Sequence, residues 1–174
     1  MFELFNRDAK IIFAGDSITA RGRWEEFFRD QDVLNRGIGS DITEGLYYRI
    51  DEVISHHPEK VFIMVGINDI GQNIPLEESI EFYEKIIDKI IVGLPECEIF
   101  IQSVLPVTTI ELSPIYAFNE ELKKLSWKYN IDYIDLFSSF LIDGNVNNSL
   151  LSADGVHLNG IGYAVWIDLI RNLL

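Results

Sequence analysis

The stretch Phe13-Ala14-Gly15-Asp16-Ser17-Ile18-Thr19 sets a serine just past a short apolar run and just ahead of a helical pattern. A serine so placed can expose its hydroxyl at a helix N-terminus, where unpaired N–H groups and a positive field favour a developing oxyanion. An ordinary helix cap explains the same residues. No Gly-Lys-Ser/Thr follows, which excludes a Walker phosphate loop, and Thr19 stands where a Gly-x-Ser-x-Gly elbow needs its second glycine. Near the other end, Leu151-Ser152-Ala153-Asp154-Gly155-Val156-His157-Leu158 precedes the last helical pattern. Serine is a weak nucleophile until a base takes its proton, and that base needs a partner to fix its tautomer. Asp154 and His157, three residues apart across a glycine turn, can form that pair within one loop. The alternative is an Asp-Gly turn with His157 as a cap or packing residue. His56 and His57 adjoin Pro58 at an expected helix end, where a solvated or dipole-facing place suits them. His157 is thus the histidine placed for catalysis.

Two further loops carry donors. In Val65-Gly66-Ile67-Asn68-Asp69-Ile70-Gly71, Gly66 allows close backbone approach and the Asn68 amide can donate to an oxyanion, although Asn-Asp is also common turn chemistry. In Asn35-Arg36-Gly37-Ile38-Gly39-Ser40-Asp41-Ile42-Thr43, small residues precede a helix. Their N–H groups can complete an anion pocket, or Ser40 or Asp41 can simply cap the helix.

Something must hold these loops together. Short runs rich in β-branched residues, Lys10 to Ala14, Val33 to Ile38, Val61 to Val65, Ile99 to Ser103 and Ile131 to Ile134, read as buried strands. Between and after them lie helical stripes: Ile42, Leu46, Ile50, Val53; Leu76, Ile80, Tyr83, Ile87, Ile90, Leu94; Ile115, Phe118, Leu122, Leu125, Tyr129; and Ile161, Val165, Leu169, Leu173. A weaker helix is expected after Gly22, through Trp24 and Phe28, and Trp127 and Trp166 are expected in the core. Alternating strands and helices imply an α/β class protein: a three-layer α/β/α sandwich on a five-stranded parallel sheet, one domain over residues 1–174. In such sheets ligands bind beyond the carboxyl ends of the strands, where all four loops fall.

Composition narrows the field. With 48% hydrophobic and 12% aromatic residues, the chain can offset the entropy of folding, so it is not disordered. Its 14 basic against 28 acidic residues give a net charge of −14, which disfavours nucleic acid and anionic lipid as partners. No apolar run approaches a membrane span, and the first eight residues lack the features of a signal peptide, so a cytoplasmic protein is expected. The one cysteine, Cys97, excludes an internal disulfide and is expected to be inert. The carboxylates lack a histidine or cysteine partner at ligand spacing, so no metal and no cofactor is expected.

Taken in order, these blocks resemble the SGNH hydrolases, also called GDSL esterases and lipases. Gly15-Asp16-Ser17 resembles the nucleophile block, with Ile18 in place of leucine; Gly66-Ile67-Asn68-Asp69 is similar to the Gly-x-Asn-Asp block; Asp154-Gly155-Val156-His157 matches the Asp-x-x-His block. The second block departs: Ser40 stands where members often carry the oxyanion glycine, and Gly39 precedes it. The Asn35-Arg36-Gly37-Ile38 opening of that block resembles the small acetylhydrolases. The resemblance implies a flavodoxin-like SGNH hydrolase fold and a serine esterase working through an acyl-enzyme on a small-molecule ester, without cofactor. It implies Ser17 as nucleophile, His157 as base and Asp154 as its orienter. Asn68 and the N–H groups of Ser17 and Ser40, with Gly39 as the fallback, would form the oxyanion hole, supported by Asp16, Gly66 and Asp69. Short acyl groups, acetyl above all, are expected. Trp24, Arg21, Tyr47 and the loop 104–113 are candidates to shape the pocket. A homodimer is one assembly the resemblance allows. Rival readings are a lysophospholipase or thioesterase for longer chains, a non-catalytic acyl-binding module on this fold, and a flavodoxin-like phosphate or nucleotide binder. The last leaves Asp154 and His157 unexplained.

Overall fold

The computed structural model describes residues 8–174. Residues 1–7, which carry most of the segment read above for a signal peptide, lie outside the described residues. Strands β1 (Ile11–Gly15), β2 (Val33–Gly37), β3 (Lys60–Met64), β4 (Glu98–Gln102) and β5 (Asp132–Ile134) form one parallel sheet in the order β2-β1-β3-β4-β5. Each expected strand is present, displaced by at most one residue at either end. The helices are α1 (Ser17–Ala20), α2 (Trp24–Phe27), α3 (Thr43–Ile54), α4 (Ile67–Gly71), α5 (Leu76–Gly93), α6 (Leu112–Tyr129) and α7 (Gly160–Ile170). A small antiparallel hairpin, β6 (Leu141–Ile142) and β7 (Asn145–Val146), lies in the long loop after β5. Among the described residues no helix is long and apolar enough to cross a membrane.

The sheet is held by side chains in register. Phe13, Phe62 and Phe100 are partners on β1, β3 and β4, and their rings stack at 4.9 and 4.5 Å. Trp24 of α2 stacks on Phe13 at 4.1 Å, and Trp166 of α7 meets Trp24 edge-on at 4.7 Å. Such aromatic pairs add about 0.5–1.5 kcal/mol each beyond their buried area. Helices α3, α5 and α6, each beside the next, cover the opposite face. Strand order reverses between β1 and β3, so the ends of those two strands open the crevice where ligands bind in such folds.

The weaker helix expected after Gly22 is present as the single turn α2, where Trp24 donates its Nε1–H to the Thr19 carbonyl. Three expectations need correction. The loop after β3 contains α4, so Asn68 sits on a helix. On α7 the buried face is Gly162, Tyr163, Trp166, Ile167 and Ile170, while Ile161 and Leu169 of the expected stripe are 62% and 40% exposed. That helix is apolar nearly all round, so its periodicity does not select a face. Trp127 is 70% exposed on α6, with the Lys123 ammonium 5.5 Å from its ring, whereas Trp166 is buried with its N–H donated to Gln102.

Candidate active site

At the end of β1 the chain turns into α1 through Asp16. This residue is buried, caps the helix, and accepts a hydrogen bond from the Ile18 N–H at 2.9 Å. Burial raises its pKa to about 7; the Ile18 N–H opposes that rise, and the nearby Asp41 and Asp69 add to it. The turn leaves Ser17 facing the loop after β5. His157 Nε2 lies 2.9 Å from Ser17 Oγ, and His157 Nδ1 lies 2.8 Å from Asp154 Oδ2. A carboxylate oxygen can only accept, so Nδ1 carries the proton and Nε2 is left to accept from the serine hydroxyl.

The acid–base pair is rigid although partly solvated. Asp154 Oδ1 accepts from the backbone N–H of His157 at 2.9 Å and of Val156 at 3.0 Å. These bonds, the first above all, with the His157 ring, hold the Asp154 carboxyl well below the usual carboxylate range. Gly155 makes the loop possible at φ +71°, and a Cβ there would come 1.9 Å from Thr108 Oγ1. Thr108 in turn donates its N–H to the Gly155 carbonyl at 2.8 Å, docking the loop 104–113 onto the pair. That loop also borders two adjoining clefts of about 460 and 390 Å³, which share Thr108 and Asn148.

After β3, Gly66 at φ +139° bends the chain into α4. Asn68 then donates an Nδ2–H to the Asp41 carbonyl at 2.8 Å, which fixes the sense of the amide and leaves its second N–H for another acceptor. Asp69, buried, accepts from the Thr43 N–H at 3.1 Å and from the Thr43 hydroxyl at 2.5 Å. Burial raises its pKa and these two bonds oppose the rise. The second loop is therefore tied to the third by Asn68–Asp41 and Asp69–Thr43. Helix α3 is not capped by Ser40 or Asp41: it begins at Thr43, and the carboxylate at its N-terminus comes from Asp69. The ties Asp69–Thr43 and Asn68–Asp41 could not be read from the sequence, because they join residues 26 and 27 positions apart.

Ile38-Gly39-Ser40-Asp41 forms a turn closed by the Asp41 N–H on the Ile38 carbonyl at 3.3 Å. Ser40 occupies its third place at φ +62°, the left-handed conformation in which glycine is unstrained. The departure from the expected glycine is thus a residue with a Cβ in a glycine conformation. Gly39 has no positive φ, and a Cβ there would meet nothing within 4 Å.

The remaining candidates divide. Trp24 belongs to the core; Tyr47 packs with Tyr48 and Phe82 at 5.2 and 5.6 Å. Arg21 is exposed, with Nη1 3.7 Å from Asp154 Oδ2. His57 is exposed, whereas His56 is buried, against the expectation, with Nε2 2.7 Å from Glu52 and 3.0 Å from Arg36. Cys97 is half-buried and its thiol is pushed up to about 11 by burial, which keeps it protonated and unreactive.

The model of the GDSL-like Lipase/Acylhydrolase family matches residues 13–165, which takes in all four loops. The chain belongs to this family. As a GDSL acylhydrolase it is an ester-hydrolysing enzyme. It is similar to the alpha2 subunit of platelet-activating factor acetylhydrolase IB from Rattus norvegicus, 26% identical over 91% of this chain and 73% of that one. A solved structure from Streptococcus pneumonia, named for platelet-activating factor, superposes with TM-score 0.90 at 24% identity, over 99% of this chain and 86% of that one. An acetylxylan esterase from Geobacillus stearothermophilus superposes with TM-score 0.80 at 19% identity, covering 97% and 95%. These two structures share the acylhydrolase fold with this chain.

Proposed function

We propose that the protein is a serine esterase for short acyl groups, acetyl foremost, in which Ser17, His157 and Asp154 act together. The observation that carries this reading is the unbroken chain from Ser17 Oγ to His157 at 2.9 Å and on to Asp154 at 2.8 Å. Ser17 Oγ attacks the ester carbonyl as its proton passes to His157 Nε2, and Asp154 stabilises the imidazolium. The Ile18 N–H is engaged by the Asp16 carboxyl, and the Ser17 N–H is the donor assigned to that turn. With the Ser40 N–H and the second N–H of Asn68 it receives the tetrahedral oxyanion. His157 then gives the proton to the leaving alcohol, and water repeats the sequence on the acyl-Ser17 ester.

Acetyl specificity is supported by the name of the rat relative, an acetylhydrolase. Hydrolysis of p-nitrophenyl acetate, butyrate and octanoate tests the reading, alongside Ser17→Ala and fluorophosphonate labelling read by mass. Rates that fall with chain length, with both activity and label lost in Ser17→Ala, are expected. Faster turnover of octanoate would move the substrate to longer chains. No turnover and no label would leave an acyl-binding module.

A further inference from the structure

Arg49 stands on α3, outside every motif named above, yet its guanidinium ties the loop after β1 to the loop after β2. Nη1 donates to the Arg36 carbonyl at 2.8 Å, near the end of β2, and Nη2 donates to the Gly15 carbonyl at 2.9 Å, at the end of β1. Nε donates to Asp41 Oδ2 at 2.8 Å, and Nη2 lies 2.6 Å from the same oxygen. Both side chains of this pair are largely withdrawn from solvent. Only a planar fork of donors spans acceptors spread this way; an ammonium is a point charge. The carboxylate of Asp41 also lies flat on α3, since a Cβ at Gly45 would come 2.1 Å from Asp41 Oδ1. Gly45 and Arg49 are one turn apart on the same helix face.

The ties to Gly15 and Asp41 lead to the proposed oxyanion donors. Gly15 precedes Asp16 and Ser17, Asp41 directly follows Ser40, and the Asp41 carbonyl is the anchor of the Asn68 amide. Resting on the assignment of those three donors above, we propose that Arg49 is a positioning residue that sets their mutual spacing. It touches neither substrate nor the reacting atoms. Oxyanion donors act only at 2.7–3.1 Å from the developing charge, so a small slip of the loops reaches the rate before it reaches the fold. A merely structural arginine would instead give a loss of stability at constant turnover number.

Two variants separate these roles. Arg49→Lys keeps a positive charge beside Asp41 and loses the fork. Gly45→Ala leaves Arg49 in place and improves the helix, yet forces the Asp41 carboxylate off its seat. Each is expected to lower kcat on p-nitrophenyl acetate about tenfold, with KM within about twofold and Tm within a few degrees. Added to Asn68→Ala, Gly45→Ala is expected to cost less than its tenfold effect alone, because part of that effect acts through the Asn68 amide. The Asn68 side-chain and Ser40 backbone amide signals in a ¹H–¹⁵N spectrum should move in both variants. A folded Arg49→Lys with wild-type kcat and unmoved amides overturns the proposal; so does loss of folding in both variants, which assigns Arg49 to the framework alone. An inert wild type would overturn the esterase reading instead, while the amide signals still report whether Arg49 places Asn68.

Discussion

Asn68→Ala separates catalysis from folding most sharply. The side chain has two N–H groups with different tasks: one is anchored on the Asp41 carbonyl at 2.8 Å, and the other is the proposed oxyanion donor. Losing the anchor removes one half-buried neutral hydrogen bond, about 1 kcal/mol of stability, which in a chain of this size lowers Tm by roughly 2–4 °C. Losing the donor removes roughly 3–4 kcal/mol of transition-state stabilisation, a fall of about 10² to 10³ in kcat. The ground-state carbonyl gains little from that donor, so KM should stay within about threefold. The expected signature is a large loss of kcat, a constant KM and a small drop in Tm. Initial rates on p-nitrophenyl acetate and thermal unfolding by circular dichroism read all three. A folded Asn68→Ala that keeps kcat within about fivefold, or that loses only KM, refutes the assignment and removes Asn68 from the oxyanion hole.

Asp16 gives a pH signature: with a folded pKa of about 7 against 3.8 unfolded, its contribution to stability is complete below about pH 4 and fades as pH rises to 7. Asp16→Asn, which can still cap Ile18, should flatten that decline by up to ~4 kcal/mol, and a superimposable pH profile of Tm would contradict it. Ser40→Gly should keep kcat within about threefold and Tm within about 2 °C, because relief of the left-handed strain and the added chain entropy nearly cancel. Ser40→Val, β-branched at φ +62°, should lower both; an unaffected valine variant would mean the turn does not hold its donor. Gly155→Ala should lower kcat at least about tenfold by driving a Cβ into Thr108 and loosening the loop of Asp154 and His157; full activity would show that the loop yields.

The sheet was legible because its strands are short apolar runs bounded by polar or turn residues, and because α3, α5 and α6 bury clean stripes. Ser17, Asp154 and His157, which the fold brings within hydrogen-bond reach of one another, could be singled out because a serine at a strand end and an Asp-x-x-His in a tight loop are residue types that acyl transfer uses. What sequence reading missed depends on contacts between distant residues or on signals too short to register. The face of α7 was misread because apolar residues surround it, so its period does not tell Tyr163 and Ile170, which are buried, from Ile161 and Leu169, which are exposed. Trp127 was misplaced because hydrophobicity alone does not tell the rim of a stripe from its centre. Strands of two residues, as in β6 and β7, carry no period. The ties of Asp69 to Thr43 and of Arg49 to Gly15 join residues 26 and 34 positions apart, and no local pattern announces them.

The bond between Ser17 and His157 closes a span of 140 positions. On the proposed mechanism, hydrolysis therefore reports that the segment from residue 17 to residue 157 is present and folded. A chain that stops between those two positions would hold the proposed nucleophile and lack its proposed proton acceptor. During synthesis the proposed nucleophile precedes its proposed base by 140 positions, so on that mechanism the growing chain cannot cleave acyl esters until the Asp154–His157 loop has been made. In a mixed preparation, the ratio of fluorophosphonate-reactive to total protein would then give the fraction of molecules in which that segment is whole.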